Sequence, residues 1–222
     1  MADPTSMVWD DVGKKVYETG VDRGALYFPT STGEYTNGVA WNGLTSVNEN
    51  PSGAENNDLY ADNIKYASLR SAEKFGFTIE AYTYPDEFMK CDGSAALGDG
   101  VYVGQQNRET FGFSYRTLKG NDVKQTEYGY LLHLVYGCSA SPSGKDYGTV
   151  NDSPDAITFS WECETTPVPV STEIDGKKLK NTATIVIDST KITAEKLAAI
   201  ETKLYTDKVL PLPDEIYELI AA

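Results

Sequence analysis

The chain has 222 residues and a formal net charge of −14, from 33 acidic and 19 basic residues. This length allows one large domain or two small ones with a buried core. The acidic balance argues against proteins that bind nucleic acid or anionic membranes through Lys and Arg. The aromatic content of 11%, with 15 tyrosines, is typical of β structure and argues against a disordered chain.

Alternating and continuous apolar segments predict a mainly β domain. The run TFGFSYRT, which begins at Thr110, places its three aromatic residues on one face, whereas Tyr128–Tyr136 is apolar on both faces and predicts a central strand. The other predicted strands are Gly24–Pro29, Val39–Thr45, Ile64–Arg70, Phe75–Tyr82, Ala156–Glu164 and Thr182–Asp188.

Two loops in this β pattern are unusually long, at Asn48–Asp62 and Ser139–Asp155. Loops of this length inside a compact domain are usually functional or mobile. The Asn48–Asp62 segment is polar and leads into a predicted hairpin of Ile64–Arg70 with Phe75–Tyr82.

Helical features are few and lie at the edges of the β pattern. Pro85 and the acids after it predict a short helix over Tyr84–Cys91. Thr193 is the predicted N-cap of a helix that ends at Tyr205. An extended arm at Val209–Asp214 and a short apolar helix follow.

The three cysteines, Cys91, Cys138 and Cys163, are an odd number without a Cys-x-x-Cys pair. The N-terminal residues MADPTSMVWDDVGKK lack the basic and then apolar pattern of a signal peptide, and no apolar run has the length of a membrane span. We therefore expect folding in a reducing cytoplasm with free, mostly buried thiols.

His133, the only histidine, lies in the middle of a predicted strand between Leu132 and Leu134. A catalytic base would need a nucleophile and an acid that converge on it. A histidine satisfied within a core or an interface is the simpler interpretation. One histidine and three scattered cysteines do not indicate a metal site.

Glu80, Glu162 and Glu164 each lie on the polar face of an alternating strand, opposite residues that form a core. Three interpretations stay open. The simplest is a solvated sheet face, the second is an acidic face turned towards a shared pore, and the third is a pair of catalytic carboxylates of the kind that glycosidases use.

Several long segments resemble the major tail proteins, or tail tube proteins, of siphophages that infect Gram-positive bacteria. The words that carry the resemblance are PSGAENNDLYADNIKYASLRSAEKFGFTIEAYTYPDEF from Pro51, CDG from Cys91, RETFGFSYRT from Arg108, YLLHLVYGCSASPSGKDYGTVNDSPDAITFSWECETTPVPV from Tyr130, and TATIVIDSTKITAEKLAAIETKLY with PLPDEI near the end. The resemblance covers most of the chain and rests on length and order, since no short catalytic signature is involved.

The resemblance implies a β-sandwich of two antiparallel sheets with a flanking α-helix, a long inter-ring loop and terminal arms. It divides the chain into an N-terminal arm (residues 1–23), a tail-tube sandwich domain (24–190) and a C-terminal helix and arm (191–222). Subunits of the family form six-fold rings that stack into a tube in the virion tail, assembled in the host cytoplasm. The implied site residues are candidate lumen-facing acids at Glu80, Glu162 and Glu164, and a candidate inter-ring loop that contains Asn48, Pro51, Gly53, Glu55, Asp58 and Tyr60.

The implied partners are further copies of the chain, a tape-measure protein, a tail terminator and distal tail proteins. Genomic DNA would pass through the tube without specific binding, and no membrane is involved. The resemblance implies no catalytic, cofactor-binding or metal-binding residue, and therefore no enzyme.

Two other classes of protein remain alternatives. One is a host-binding or carbohydrate-binding β-sandwich module, in which Trp41 and Tyr60 would form an aromatic sugar platform. The other is the tube protein of a phage-derived bacteriocin, which would share the fold. An enzyme is a more distant third possibility.

Overall fold

Antiparallel strands make up most of the protein in the computed structural model, which describes residues 7–150 and 155–221. The strands form where apolar and polar residues alternate, because one face of each can then be buried. Within these residues they are β1 (Val16–Pro29), β2 (Tyr35–Trp41), β3 (Leu44–Glu49), β4 (Ser52–Gly53), β5 (Asn56–Ala61), β6 (Ile64–Arg70), β7 (Glu73–Lys74), β8 (Gly76–Ala81), β9 (Ala95–Gly98), β10 (Val101–Val103), β11 (Phe111–Asn121), β12 (Gln125–Ala140), β13 (Phe159–Thr165), β14 (Glu173–Ile174), β15 (Lys177–Lys178) and β16 (Thr184–Asp188).

The helices lie where the sequence predicts them. The first begins after Pro85, as expected, and Thr193 occupies an N-cap position, although its side chain makes no capping hydrogen bond. The helical segments are a 3-10 turn (Asp86–Phe88), α1 (Met89–Asp92), α2 (Ala194–Glu201), a π-helical turn (Thr202–Thr206) and α3 (Pro213–Ala221).

Eight strands form one continuous antiparallel sheet that bends into the two layers of a sandwich. Their order is β2-β1-β11-β12-β13-β8-β3, and β16 also pairs with β12. The bend lies along β12, whose segment Leu131–Val135 pairs with β16 and whose segment Cys138–Ala140 pairs with β13. Gly137 between them has a φ of 59°, and a Cβ there would lie 2.2 Å from the Thr166 carbonyl oxygen, so the bend requires glycine.

Aromatic side chains fill the space between the two layers. Phe113 of β11 stacks on Phe77 of β8 with ring centroids 6.0 Å apart, and Trp41 of β2 meets Trp161 of β13 at 5.6 Å. Phe88 of the short helix packs against both tryptophans. Offset and edge-on aromatic pairs of this kind add to the stabilisation from burial, so this layer is the main core.

A second core lies on the other face of β1, β11 and β12, where the C-terminal helices pack. It is built on Tyr27, Leu134 and Tyr136 of the sheet and on Ile200 and Leu204 of the helical segment. The Tyr136 hydroxyl donates to the Pro211 carbonyl at 2.8 Å, so the polar tip of this buried ring is satisfied. The flanking helix and the sandwich of antiparallel sheets are therefore confirmed.

The C-terminal segment differs from the extended arm expected at Val209–Asp214. Leu210 forms an isolated bridge with Tyr35 of β2 and is almost fully buried, and Ile216 of α3 is buried in the second core. Burial of these apolar side chains holds the segment against its own sheet. The last residue, Ala222, lies outside the described residues.

The first strand begins earlier than expected, at Val16 instead of Gly24, because Val16–Thr19 pairs with the end of β11. The predicted N-terminal arm therefore contains strand residues as well as the exposed segment before them. Its first six residues lie outside the described part of the chain.

The predicted loop at Asn48–Asp62 is mostly strand in the structure. It contains the end of β3, all of β4 and all of β5, which pairs with β6 to form a long hairpin around Asp62 and Asn63. The expected pairing of Ile64–Arg70 with Phe75–Tyr82 is wrong, because β8 lies between β3 and β13. Of the predicted loop Ser139–Asp155, the first two residues belong to β12, and residues 151–154 lie outside the described part.

Cys91, Cys138 and Cys163 are unpaired and buried, as predicted. Burial raises the pKa of each thiol. Among residues 7–150 and 155–221, every helix is too short or too polar to cross a membrane.

Candidate functional site

The outer face of β3, β8 and β13 is a polar surface, called here the open face. Glu162 lies opposite Thr78, and Glu164 lies opposite Gly76, while Glu80 lies opposite Ser160. The predicted alternation is confirmed, since the intervening residues of both strands point into the main core. The three candidate acids thus share one sheet face.

The three acids differ in their surroundings. Glu162 and Glu164 are exposed on β13. Glu80 is half-buried on β8, and its carboxylate accepts a hydrogen bond of 2.7 Å from the Ser46 hydroxyl on β3. Glu162 and Glu164 form no salt bridge with the described residues, so their charges give the open face a negative potential, which screening confines to about 8 Å at physiological salt.

The candidate loop residues occupy two different places. Asn48 belongs to the open face, where it pairs with Thr78 in the strand register. The others lie on the segment that leaves the sandwich. They are Pro51 just after β3, Gly53 in β4, Glu55 before β5, and Asp58 and Tyr60 in β5.

The hairpin of β5 and β6, Asn56–Arg70, is called here the arm. It is separate from the predicted N-terminal and C-terminal arms. Asp58 accepts one hydrogen bond from the Ser68 hydroxyl at 2.6 Å and pairs with Lys65 at 2.8 Å on one side. Leu59 lies opposite Ala67, next to the pair of Asn57 and Leu69, on the other side. Leu59 and Leu69 are both exposed, so the arm presents an apolar face that its own chain does not cover.

The root of the arm is tied to the sandwich through Glu49 at the end of β3. The Tyr115 hydroxyl donates to its carboxylate at 2.6 Å, and His133 Nδ1 lies 3.5 Å from the same oxygen. The His133 contact is the main cause of a lowered pKa of the Glu49 carboxyl, which partial burial opposes and the Tyr115 hydrogen bond reinforces.

His133 has the buried, packed position that the sequence predicted. Its ring stacks on Tyr115 with centroids 4.5 Å apart, and Nε2 lies 3.0 Å from the Thr117 hydroxyl. Its buried Nδ1 makes no hydrogen bond with the described residues, and Glu49 lies 3.5 Å from it. No described Ser or Cys nucleophile is hydrogen-bonded to this ring.

A cleft of about 850 Å³ beside β1 and β2 was not predicted. Apolar side chains, two cations and two acids line it, and Arg23 lies over the ring of Tyr205 at 5.9 Å. The Tyr205 hydroxyl is buried and has no hydrogen-bond partner among the described residues, and burial raises its pKa to about 12. Arg23 and Lys208 meet here from opposite ends of the chain, so no sequence spacing could have indicated the cleft.

The carbohydrate-platform alternative requires Trp41 at the surface, and this expectation is wrong. Trp41 is 2% exposed within the main core, and its indole N–H donates to the Thr83 carbonyl at 2.8 Å. Tyr60 is 72% exposed, but it lies on the arm. The two side chains therefore do not form one surface.

Among the described residues, no three His, Cys, Asp or Glu side chains are arranged to hold a metal ion.

Neither a protein-family model nor a curated protein sequence matches the chain. One similar solved structure is a chain of the anti-feeding prophage baseplate, determined by cryo-EM with 6-fold symmetrisation. It is 7% identical with a TM-score of 0.36, and the match covers 77% of this chain and 95% of that chain. A similarity this low establishes neither a shared function nor shared partners.

Proposed function

We propose that this chain is a structural subunit that assembles with its own copies into stacked six-fold rings, which form the tube of a siphophage tail. The observation that carries the proposal is the open face, an acidic sheet surface on a sandwich whose opposite outer face is buried under helices. The sequence resemblance to tail tube proteins supplies the six-fold ring, the phage class and the virion location.

In this proposal the open face lines the lumen, with Glu80, Glu162 and Glu164 towards the channel. DNA carries one negative charge per about 1.7 Å of its axis, so a basic wall would hold it and an acidic wall lets it slide. The formal net charge of −14 is consistent with a conduit that does not bind the genome. Genomic DNA is then a passing cargo.

The sheet edges support ring formation. Within the described residues, β3 pairs only with β8, and β16 pairs only with β12. Unpaired edges promote uncontrolled association, and closing subunits into a ring removes this hazard. Stacking of rings through unlike surfaces does not close, so it produces a filament.

The arm supports contact between rings. It makes few contacts with its own sandwich, and a two-stranded hairpin alone is marginally stable in water. A neighbouring ring would cover its apolar face. By the same resemblance, the tube grows around a tape-measure protein between a tail terminator and distal tail proteins.

A concentration series of the purified protein tests the proposal. Sedimentation velocity should show growth from subunits to large particles, and negative-stain electron microscopy should show hollow tubes of uniform diameter. A monomer that persists at all concentrations up to the solubility limit would contradict it and would favour a binding module.

A further inference from the structure

We propose that the segment Met7–Asp11 of one copy binds in the cleft beside β1 and β2 of a second copy. This inference rests on the proposed function, because it assumes that copies of the chain assemble. It assigns an occupant to the cleft and a role to a segment that leaves its apolar side chains in solvent.

The segment has a distinct chemistry, three large apolar residues followed by two acids. Met7, Val8 and Trp9 are 80%, 59% and 75% exposed. Consecutive exposed apolar residues of this size are typical of a surface that another molecule covers. Among the described residues, Asp10 and Asp11 pair only with the exposed Lys15 and Lys14, and such surface pairs contribute little.

The cleft has the complementary chemistry. Its apolar lining includes Val21, Val39 and Leu44, beside which the Arg23 and Lys208 side chains supply positive charge. These cations suit a carboxylate, as does the buried Tyr205 hydroxyl, which can donate a hydrogen bond and has no partner among the described residues.

Two acids also line the cleft, and one of them is paired with a cation outside the lining. Asp22 is held by Arg116, whose guanidinium donates two hydrogen bonds to it at 2.7 and 2.6 Å. Glu87 is exposed on the short helix. The cleft therefore offers an apolar site with cations to an apolar segment with anions, which is the charge complementarity that favours specific association.

The backbone of β2 offers a second means of recognition. On its outer edge, Tyr35 bridges to Leu210 and the Gly38 amide donates to the Lys208 carbonyl at 2.9 Å. After Gly38, the described residues place no strand on this edge, and the cleft begins there. An extended segment can add to such an edge through main-chain hydrogen bonds while its side chains enter the cleft.

The chain's own acids lie far from Arg23 of its own cleft, so a second copy is the proposed source of the segment. The Gly13 amide donates to the Asp122 carboxylate, and the Asn121 side chain donates to the Gly13 carbonyl, which fixes Gly13 near Val16. The strand from Val16 to Arg23, which lines the cleft, spans roughly 23 Å at about 3.3 Å per residue. Asp10 lies three residues before Gly13, a span of at most about 11 Å.

The resulting contact is head-to-tail, since segment and cleft are different surfaces of the same chain. Such a heterologous contact builds rings or open filaments rather than an isolated dimer. It is therefore compatible with both levels of the proposed assembly, within a ring or between rings.

Charge reversal with rescue tests the contact. Asp10→Lys with Asp11→Lys, and separately Arg23→Glu with Lys208→Glu, should each raise the concentration needed for assembly about tenfold. An equimolar mixture of the two double variants should restore assembly, because each segment then meets a cleft of opposite charge. Unimpaired assembly of folded variants, or two impaired variants without rescue, would overturn the inference.

Disulfide trapping separates this inference from the proposed function. Mixed Trp9→Cys and Lys208→Cys variants should form a covalent dimer of two chains under mild oxidation. The matched control pairs Trp9→Cys with Lys178→Cys, an exposed position on the β14–β15 hairpin. A covalent dimer without tubes would support binding of the segment in the cleft and contradict the proposed tube. Tubes without more dimer than the control would support the tube and contradict binding of the segment in the cleft.

Discussion

The Tyr115 hydroxyl donates a hydrogen bond of 2.6 Å to the Glu49 carboxylate, which ties the main core to the root of the arm. Tyr115 is buried on β11, and Glu49 is the last residue of β3. The end of β3 is thus anchored to the main core through one carboxylate, which also lies 3.5 Å from His133.

Glu49→Ala should destabilise the protein by about 1–3 kcal/mol, because it leaves the buried Tyr115 hydroxyl without an acceptor. Urea unfolding followed by tyrosine and tryptophan fluorescence measures the loss. Glu49→Gln retains an acceptor and should lose less. Equal losses in the two variants would show that the hydrogen bond does not hold the root.

Asp188 should make folding stability sensitive to acid. Burial raises the pKa of its carboxyl, but hydrogen bonds from Lys119 and Thr190 outweigh burial and lower the pKa from 3.8 to about 2. A lowered folded-state pKa contributes stability that is complete above about pH 4 and is lost as the pH falls from 4 towards 2. Asp188→Asn should remove about 1.5–3 kcal/mol at pH 7.

Urea unfolding between pH 7 and pH 2.5 checks this expectation. The natural protein should lose more stability over this range than Asp188→Asn, while the exposed Glu173→Gln should follow the natural protein. Parallel pH curves for Asp188→Asn and the natural protein would contradict it. Glu49, whose pKa is also lowered, acts with the same sign.

Trp41 should behave as a core residue and Tyr60 as a surface residue. Trp41→Ala should cost about 3–5 kcal/mol in free energy of unfolding, because it opens a cavity between the layers. Tyr60→Ala should change stability by less than about 0.5 kcal/mol. A similar, small effect at both positions would contradict the burial of Trp41 in the main core.

The arm should exchange its amide hydrogens quickly in the subunit and slowly in the assembly. Its β5 and β6 strands contact mainly each other, and a hairpin alone is marginally stable. Hydrogen exchange measured by mass spectrometry on both forms compares Asn56–Arg70 with the buried strand β12 as the control. Equal protection of the arm in both forms would reject its role between rings.

Reversal of charge on the open face should spare folding. Glu162→Lys with Glu164→Lys should change stability by less than about 0.5 kcal/mol, since both side chains are exposed. Tubes of this variant should retain DNA that tubes of the natural protein release, in a salt-dependent way. Glu173→Lys, outside the open face, is the matched control and should not retain DNA.

The alternation of the sequence predicted which residues of β8, β11 and β13 enter the core, because the side-chain period of a strand is two. It did not predict β5, whose residues Asn56, Asn57 and Asp58 have low strand propensity and resemble a loop. The turn at Asp62 and Asn63, both with positive φ, was the missed signal of a hairpin.

The strand pairing and the cleft could not be predicted from local sequence patterns, because both depend on residues that are distant in the sequence. β8 pairs with β3 and β13, which are distant in sequence, and the neighbouring β6 turns back to β5. Arg23 and Lys208 approach the same cleft only after the C-terminal segment packs on the sheet. These contacts form through long-range packing, and no local spacing of residues indicates them.

The most direct test of the proposed tube is a cryo-EM map of the assembled protein that resolves side chains. We expect stacked six-fold rings with Glu162 and Glu164 facing the central channel and the second core turned away from it. A tube that places both carboxylates on its outer surface or in a subunit interface would show that the open face does not line the lumen.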